Sequence, residues 1–149
     1  MMDTNARTTS AIRTVLCLGL LGVPTLPLAD DVTGASRILC AAQHATRCTG
    51  GLGCETGDPT DWNIPDFIEI DLVEKQLRST ASSADKRLTS FSTLDQVAGT
   101  TYVQGIDKGR AFSIVIDQRT GELTAATARA GTAVSIFARC TPLSSPVSR

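Results

Sequence analysis

RAFSIVID (Arg110–Asp117), QRTG (Gln118–Gly121) and ELTAATAR (Glu122–Arg129) read as strand, turn and strand. Phe112, Ile114 and Ile116 fall on one side of an extended chain. Gln118-Arg119-Thr120-Gly121 has the form of a type I turn closed by a left-handed glycine, a common hairpin connection. Toward the N-terminus, Asp107-Lys108-Gly109 is a second turn, with glycine where a positive φ is needed, and Thr100–Ile106 (TTYVQGI) leads into it. Toward the C-terminus, Ala130-Gly131 leads to Thr132–Cys140 (TAVSIFARC). These segments predict four consecutive antiparallel strands, a meander.

The same period recurs upstream. In Phe67–Val73 (FIEIDLV), Ile68, Ile70 and Leu72 share one face and Glu69 and Asp71 the other, the alternation of a half-buried strand with a solvated side. Glu74-Lys75-Gln76 is a polar turn candidate, Leu77–Thr80 a short returning partner, and Ser79–Asp85 (STASSAD) a loop. Ser36–Cys48 (SRILCAAQHATRC) fits two descriptions. Ser36 can cap a helix that Gly50 ends. As a strand, it places Ile38, Cys40, Ala42, His44 and Cys48 on one side. The strand is favoured because Cys40 then faces inward, as Cys140 does in the last strand. The expected fold is all-β: a small antiparallel meander, barrel-like or strongly curled, of about seven or eight strands.

The N-terminus carries Arg7 and Arg13, and Val15–Leu28 then runs without charge. That run is too short to span a bilayer, which takes about 20 residues, and prolines interrupt it. A charged start and a short apolar stretch ending at Ala29 mark residues 1–29 as a secretory signal peptide, although Pro27 also permits cleavage a few residues later. Leu16 before Cys17 does not fit lipid anchoring, and no other segment suits a membrane span. Of 14 basic and 15 acidic residues, Arg7, Arg13 and Asp3 leave with the signal, so the mature chain carries about −2. It has no basic footprint for nucleic acid. Residues 30–142 form one domain, and residues 143–149 read as a disordered tail, with the proline- and serine-rich character beginning at Thr141. The expected location is periplasmic or secreted.

Export leaves Cys40, Cys48, Cys54 and Cys140, an even set that reads as a disulfide framework. Three pairings are open. A glycine-rich loop (TGGLG) between Cys48 and Cys54 favours a local bridge, which leaves Cys40 to join Cys140, first strand to last, as suits closure of a barrel. Neither the paired spacing of a zinc site nor the C-x-x-C of a redox site is present.

Candidate chemistry is sparse. His44 is the only histidine, so a Ser-His-Asp hydrolase would need it, and no G-x-S-x-G elbow occurs. A structural, inward-facing role near the cysteines is the plainer reading. Asp58, Asp61, Asn63 and Asp66 are spaced for calcium but lack the EF-hand pattern, and turn chemistry accounts for them. Asp66, Glu69 and Asp71 offer paired carboxylates for a small envelope hydrolase. Trp62 and Asn63 sit in a proline-held loop, a contact point for a partner or ligand or a lid over one end of the core. Tyr102 and Arg110, on the two strands of one hairpin, are read as lining the same surface, and Arg110 equally as an exposed strand residue. No cofactor or metal is expected. The favoured function is a non-catalytic binding or interaction module for an envelope or extracellular protein or a small ligand. The rivals are the hydrolase and a structural envelope component.

Three sets of residues carry a resemblance: the spaced Cys40, Cys48 and Cys54; Asn63-x-Pro65-x-Phe67-x-x-Ile70-Asp71; and Gly109-Arg110-Ala111-Phe112-Ser113. From Ile38 to Pro142 the chain resembles a group of uncharacterised small exported proteins of Gram-negative bacteria. The resemblance implies an exported, disulfide-bonded β-protein and transfers no activity. In architecture alone, a meander closed by a terminal disulfide is also similar to the small-barrel periplasmic lysozyme inhibitors, whose inhibitory motif is not visible here.

Overall fold

The computed structural model describes residues 30–143; the expected signal peptide at 1–29 and residues 144–149 of the expected tail lie outside the described residues. The described residues form ten strands: β1 (Arg37–Thr49), β2 (Gly53–Gly57), β3 (Phe67–Asp71), β4 (Gln76–Ser79), β5 (Leu88–Ser90), β6 (Thr93–Val97), β7 (Thr100–Asp107), β8 (Arg110–Asp117), β9 (Glu122–Arg129) and β10 (Thr132–Pro142). They build one strongly curled antiparallel sheet in the order β5-β4-β3-β1-β10-β9-β8-β7-β6, with β2 also on β1.

The meander β7–β10 is built as its turns dictate. Lys108 and Gly109 both take positive φ, 48° and 76°, the two-residue geometry whose twist matches the flanking strands. Gly121 has φ 63°, and a Cβ there would run into the carbonyl oxygens of Cys140 and Asp30, so no other residue fits. The turn before it is fixed by the Asp117 carboxylate, which accepts from the backbone N–H groups of Arg119 and Thr120. These hydrogen bonds hold its carboxyl below the usual carboxylate range.

The ambiguous Ser36–Cys48 segment is strand, and β1 is the longest in the sheet. One edge pairs with β10 throughout. The other edge is shared: residues 37–41 pair with β3 and residues 45–49 with β2, so β2 and β3 lie end to end. The expected single face of β1 does not hold, because the register shifts between Ala42 and His44. One extra residue reverses the side on which later side chains fall. Cys40 is buried before the shift and Ala45 after it, while His44 is exposed.

Both disulfides join directly opposed residues of neighbouring strands, Cys40–Cys140 across β1/β10 and Cys48–Cys54 across β1/β2, each with Cα atoms 4.0 Å apart. The first-to-last clasp is therefore buried in mid-sheet and does not close a seam. The sheet edges, β5 and β6, come from the middle of the chain and are joined by Phe91-Ser92 alone. β2, β5 and β6 add to the seven strand segments read from the sequence, which is why the strands number ten. The C-terminal strand also runs further than expected: Thr141 and Pro142 belong to β10, and the Leu143 N–H donates to the Arg37 carbonyl at 2.9 Å.

Burial changes systematically along the inside of the curl. Across β7, β8, β9 and β10 the inward rows are Thr101–Ile116–Leu123–Ala138, then Val103–Ile114–Ala125–Ile136, then Gly105–Phe112–Thr127–Val134. The first two rows are buried, and in the third only Gly105 is. Val32 plugs the closed end, its N–H bonded to the Gln118 carbonyl at 2.7 Å. The other end is open.

Candidate functional site

At the open end the third row and its neighbours do not meet across the curl, and a cavity of about 220 Å³ remains. Its floor is Ile114, Ala125 and Ile136, and its walls include Ile68, Leu77 and Phe112. Trp62, Asn63, Ile64 and Pro65 close one side. Trp62 ends a short 3-10 turn, Pro59–Trp62, whose cap is reciprocal: the Asp58 carboxylate accepts from the Thr60 N–H and the Asp61 carboxylate from the Asp58 N–H. The Thr60 hydroxyl and N–H hold the Asp58 carboxyl below its usual range. The Asp58 and Asp61 carboxylates read as calcium ligands are thus spent on capping. Among the described residues no group of three or more His, Cys, Asp or Glu gathers as a metal site.

The turn ends with Asn63 in the left-handed region (φ 58°, ψ 38°), which turns the chain toward the mouth. The Asn63 carbonyl accepts from Arg87 Nη1 at 2.8 Å, and Arg87 pairs with Asp85 at 2.6 Å. A second arginine on the wall, Arg78, lies 3.7 Å from the Asp71 carboxylate and also donates to Gln76. The third, Arg110, stands at the end of the β7–β8 hairpin on the inward side. Among the described residues it has no ion pair or side-chain hydrogen bond. Asp107, opposite it in register, is the one acidic residue lining the cavity. The site is an apolar hollow rimmed by cationic groups, of which Arg110, exposed at the mouth, alone has no protein partner among the described residues.

No protein-family model matches the chain. No curated protein matches it either.

Three of the four residues singled out from the sequence, Trp62, Asn63 and Arg110, converge on this cavity from segments more than forty positions apart. Tyr102 does not join them. It sits on the outer side of β7, out of phase with the buried Thr101 and Val103, so Tyr102 and Arg110 belong to opposite faces. The strand period makes this unavoidable, since Tyr102 pairs with outward Val115. Trp62 packs on the core and also lines the cavity.

His44 faces outward, its ring stacked on Phe137 at 4.8 Å between centroids and 20° between planes. It is remote from the cysteine clasp in facing and lies outside the cavity lining. The expected solvated face of β3 is not solvated. Asp71 is buried, accepts from the N–H groups of Val73 and Glu74, and faces Arg37 and Arg78. Glu69 accepts from Arg37. These carboxylates therefore brace a turn and two strands. Among the described residues, none of them is bonded to His44 or to a serine hydroxyl.

Arg78, Arg87 and Leu77 were missed as site residues. Leu77 and Arg78 lie in a short return strand, and Arg87 in a stretch that reads as loop. Their shared position follows from β3–β4 curling back over β8, which no local pattern encodes. Among the described residues, no helix is long and apolar enough to cross a membrane, and two disulfides are consistent with an oxidising, exported location.

Proposed function

We propose that this chain is an exported, non-catalytic binding module that takes a small apolar ligand into the open end of its curled sheet. The observation that carries the reading is the cavity, about 220 Å³ and lined mainly by apolar side chains, with Trp62 and a few polar groups at its mouth. Small-molecule sites have this form, a mostly apolar hollow with convergent polar groups, in a volume range that begins near 300 Å³ for drug-sized ligands. The smaller volume here argues for a ligand below that size. We also propose kinship with the small exported proteins of Gram-negative bacteria that the sequence resembles. Two of the stretches behind that resemblance, from Asn63 and from Gly109, contribute Asn63, Pro65, Arg110 and Phe112 to the cavity.

The hydrolase reading, on His44 or on Asp66, Glu69 and Asp71, is the less favoured, with His44 on the outer face, Glu69 and Asp71 held by arginines and Asp66 exposed. A neutral, apolar naphthylamine dye tests the binding reading. It should brighten with the native protein and not with Thr127→Phe, which puts an aromatic ring into the hollow from a half-buried wall position. Equal brightening in a folded T127F would place the dye elsewhere and sink the cavity reading.

A further inference from the structure

We infer that the cavity selects a short single-chain amphiphile with one carboxylate head, its tail on the hydrophobic floor and its head on Arg110. The inference rests on the binding reading above and adds the chemical class of the ligand.

Volume sets the tail. A water-sized group takes about 30 Å³ in a liquid, so about 220 Å³ admits about seven methylene-sized groups. That suits one short acyl chain. The floor of Ile114, Ala125 and Ile136 offers such a chain no hydrogen bond, so its burial is driven by area alone, at about 0.8 kcal/mol per methylene.

Charge sets the head. The three arginines at the mouth differ in what they still lack. Arg87 has Asp85 and the Asn63 carbonyl, and Arg78 has Asp71 and Gln76. Arg110 has neither an ion pair nor a side-chain hydrogen bond among the described residues, although it lines the opening. One free guanidinium above an apolar hollow complements one singly charged, planar head, which it can bind bidentately. A dianionic phosphate would need a second free cation. Asp107, in register with Arg110, adds a negative charge to the same rim and further disfavours a dianionic head.

The experiment uses the mature chain with both disulfides intact and reads the fluorescence of Trp62, the single tryptophan and a wall of the cavity. Octanoate, octanol, octylamine and octyl phosphate are titrated in parallel, with calorimetry for confirmation. Octanoate should bind best, and Arg110→Gln should weaken it about tenfold while leaving octanol unchanged, as expected for a lost charge-assisted hydrogen bond. An unchanged melting temperature for R110Q confirms that the fold is intact. Equal affinity for octanol and octanoate, or octyl phosphate ahead of both, would overturn the carboxylate assignment while leaving an apolar site in place. No binding of any member would remove the binding reading itself, and this inference with it.

Discussion

Removing the two disulfides separately should cost unequal amounts, and the difference follows from where they sit in the chain. Cys40–Cys140 closes a segment with a separation of 100 residues and Cys48–Cys54 one of 6. The chain-closure relation assigns about 4.7 kcal/mol to the long loop and roughly 2.4 kcal/mol to the short one. Burial widens the gap. Cys40 and Cys140 are each 2% exposed in the core, so alanines there also leave a void, whereas Cys54 is exposed. Domains of this size have about 5–15 kcal/mol in total, so the Cys40→Ala/Cys140→Ala variant should lose a third or more of its stability. Urea unfolding of the wild type and both double alanine variants measures this directly. The slope with denaturant should rise as the unfolded chain expands, most for the long loop. Equal losses, or a greater loss from Cys48→Ala/Cys54→Ala, would refute the placement of the long clasp in the buried mid-sheet pair.

Other expectations follow from single residues. Asp71→Ala removes the acceptor for two turn amides and a buried partner of two arginines, and should cost about 1–3 kcal/mol by thermal melting. Ile136→Ala should cost about 2–5 kcal/mol, while its exposed neighbour Phe137→Ala should cost less, a contrast that denaturant curves resolve. Asp58 and Asp117 are both held below the usual carboxylate range, so the stability they give is complete above that range and is lost as pH falls through their lowered values. Melting temperatures should therefore stay level down to about pH 4 and fall below it, and Asp58→Asn/Asp117→Asn should flatten that acid limb. Gly121→Ala should destabilise by about 1–3 kcal/mol through a strained φ and a backbone clash, visible as a lower melting temperature.

The meander was legible because alternation and turn chemistry are local. RAFSIVID and ELTAATAR each state which side is inward, and Gly109 and Gly121 state where the chain reverses. The disulfide pairing was legible for the same reason, since a glycine-rich loop shortens the choice. β2, β5 and β6 were not, because strands of three to five mostly exposed residues have little burial to record. The facing of His44 was lost to one bulge, which shifts the parity of everything after it and leaves no signature in residue type. The cavity was half visible. Trp62, Asn63 and Arg110 stood out individually, but that they share one hollow depends on the curl of the whole sheet. The opposite facing of Tyr102 was open to reading from the period of its own strand.

The neighbours β1 and β10 are the first and last strands to leave the ribosome. The sheet lacks its central pair until β10 is available, so the β3–β5 side and the β6–β9 side are joined late. Cys140 can reach Cys40 only once β10 has been made. The order of strands thus couples completion of the fold to completion of β10, and the clasp at Cys40–Cys140 then secures the central pair.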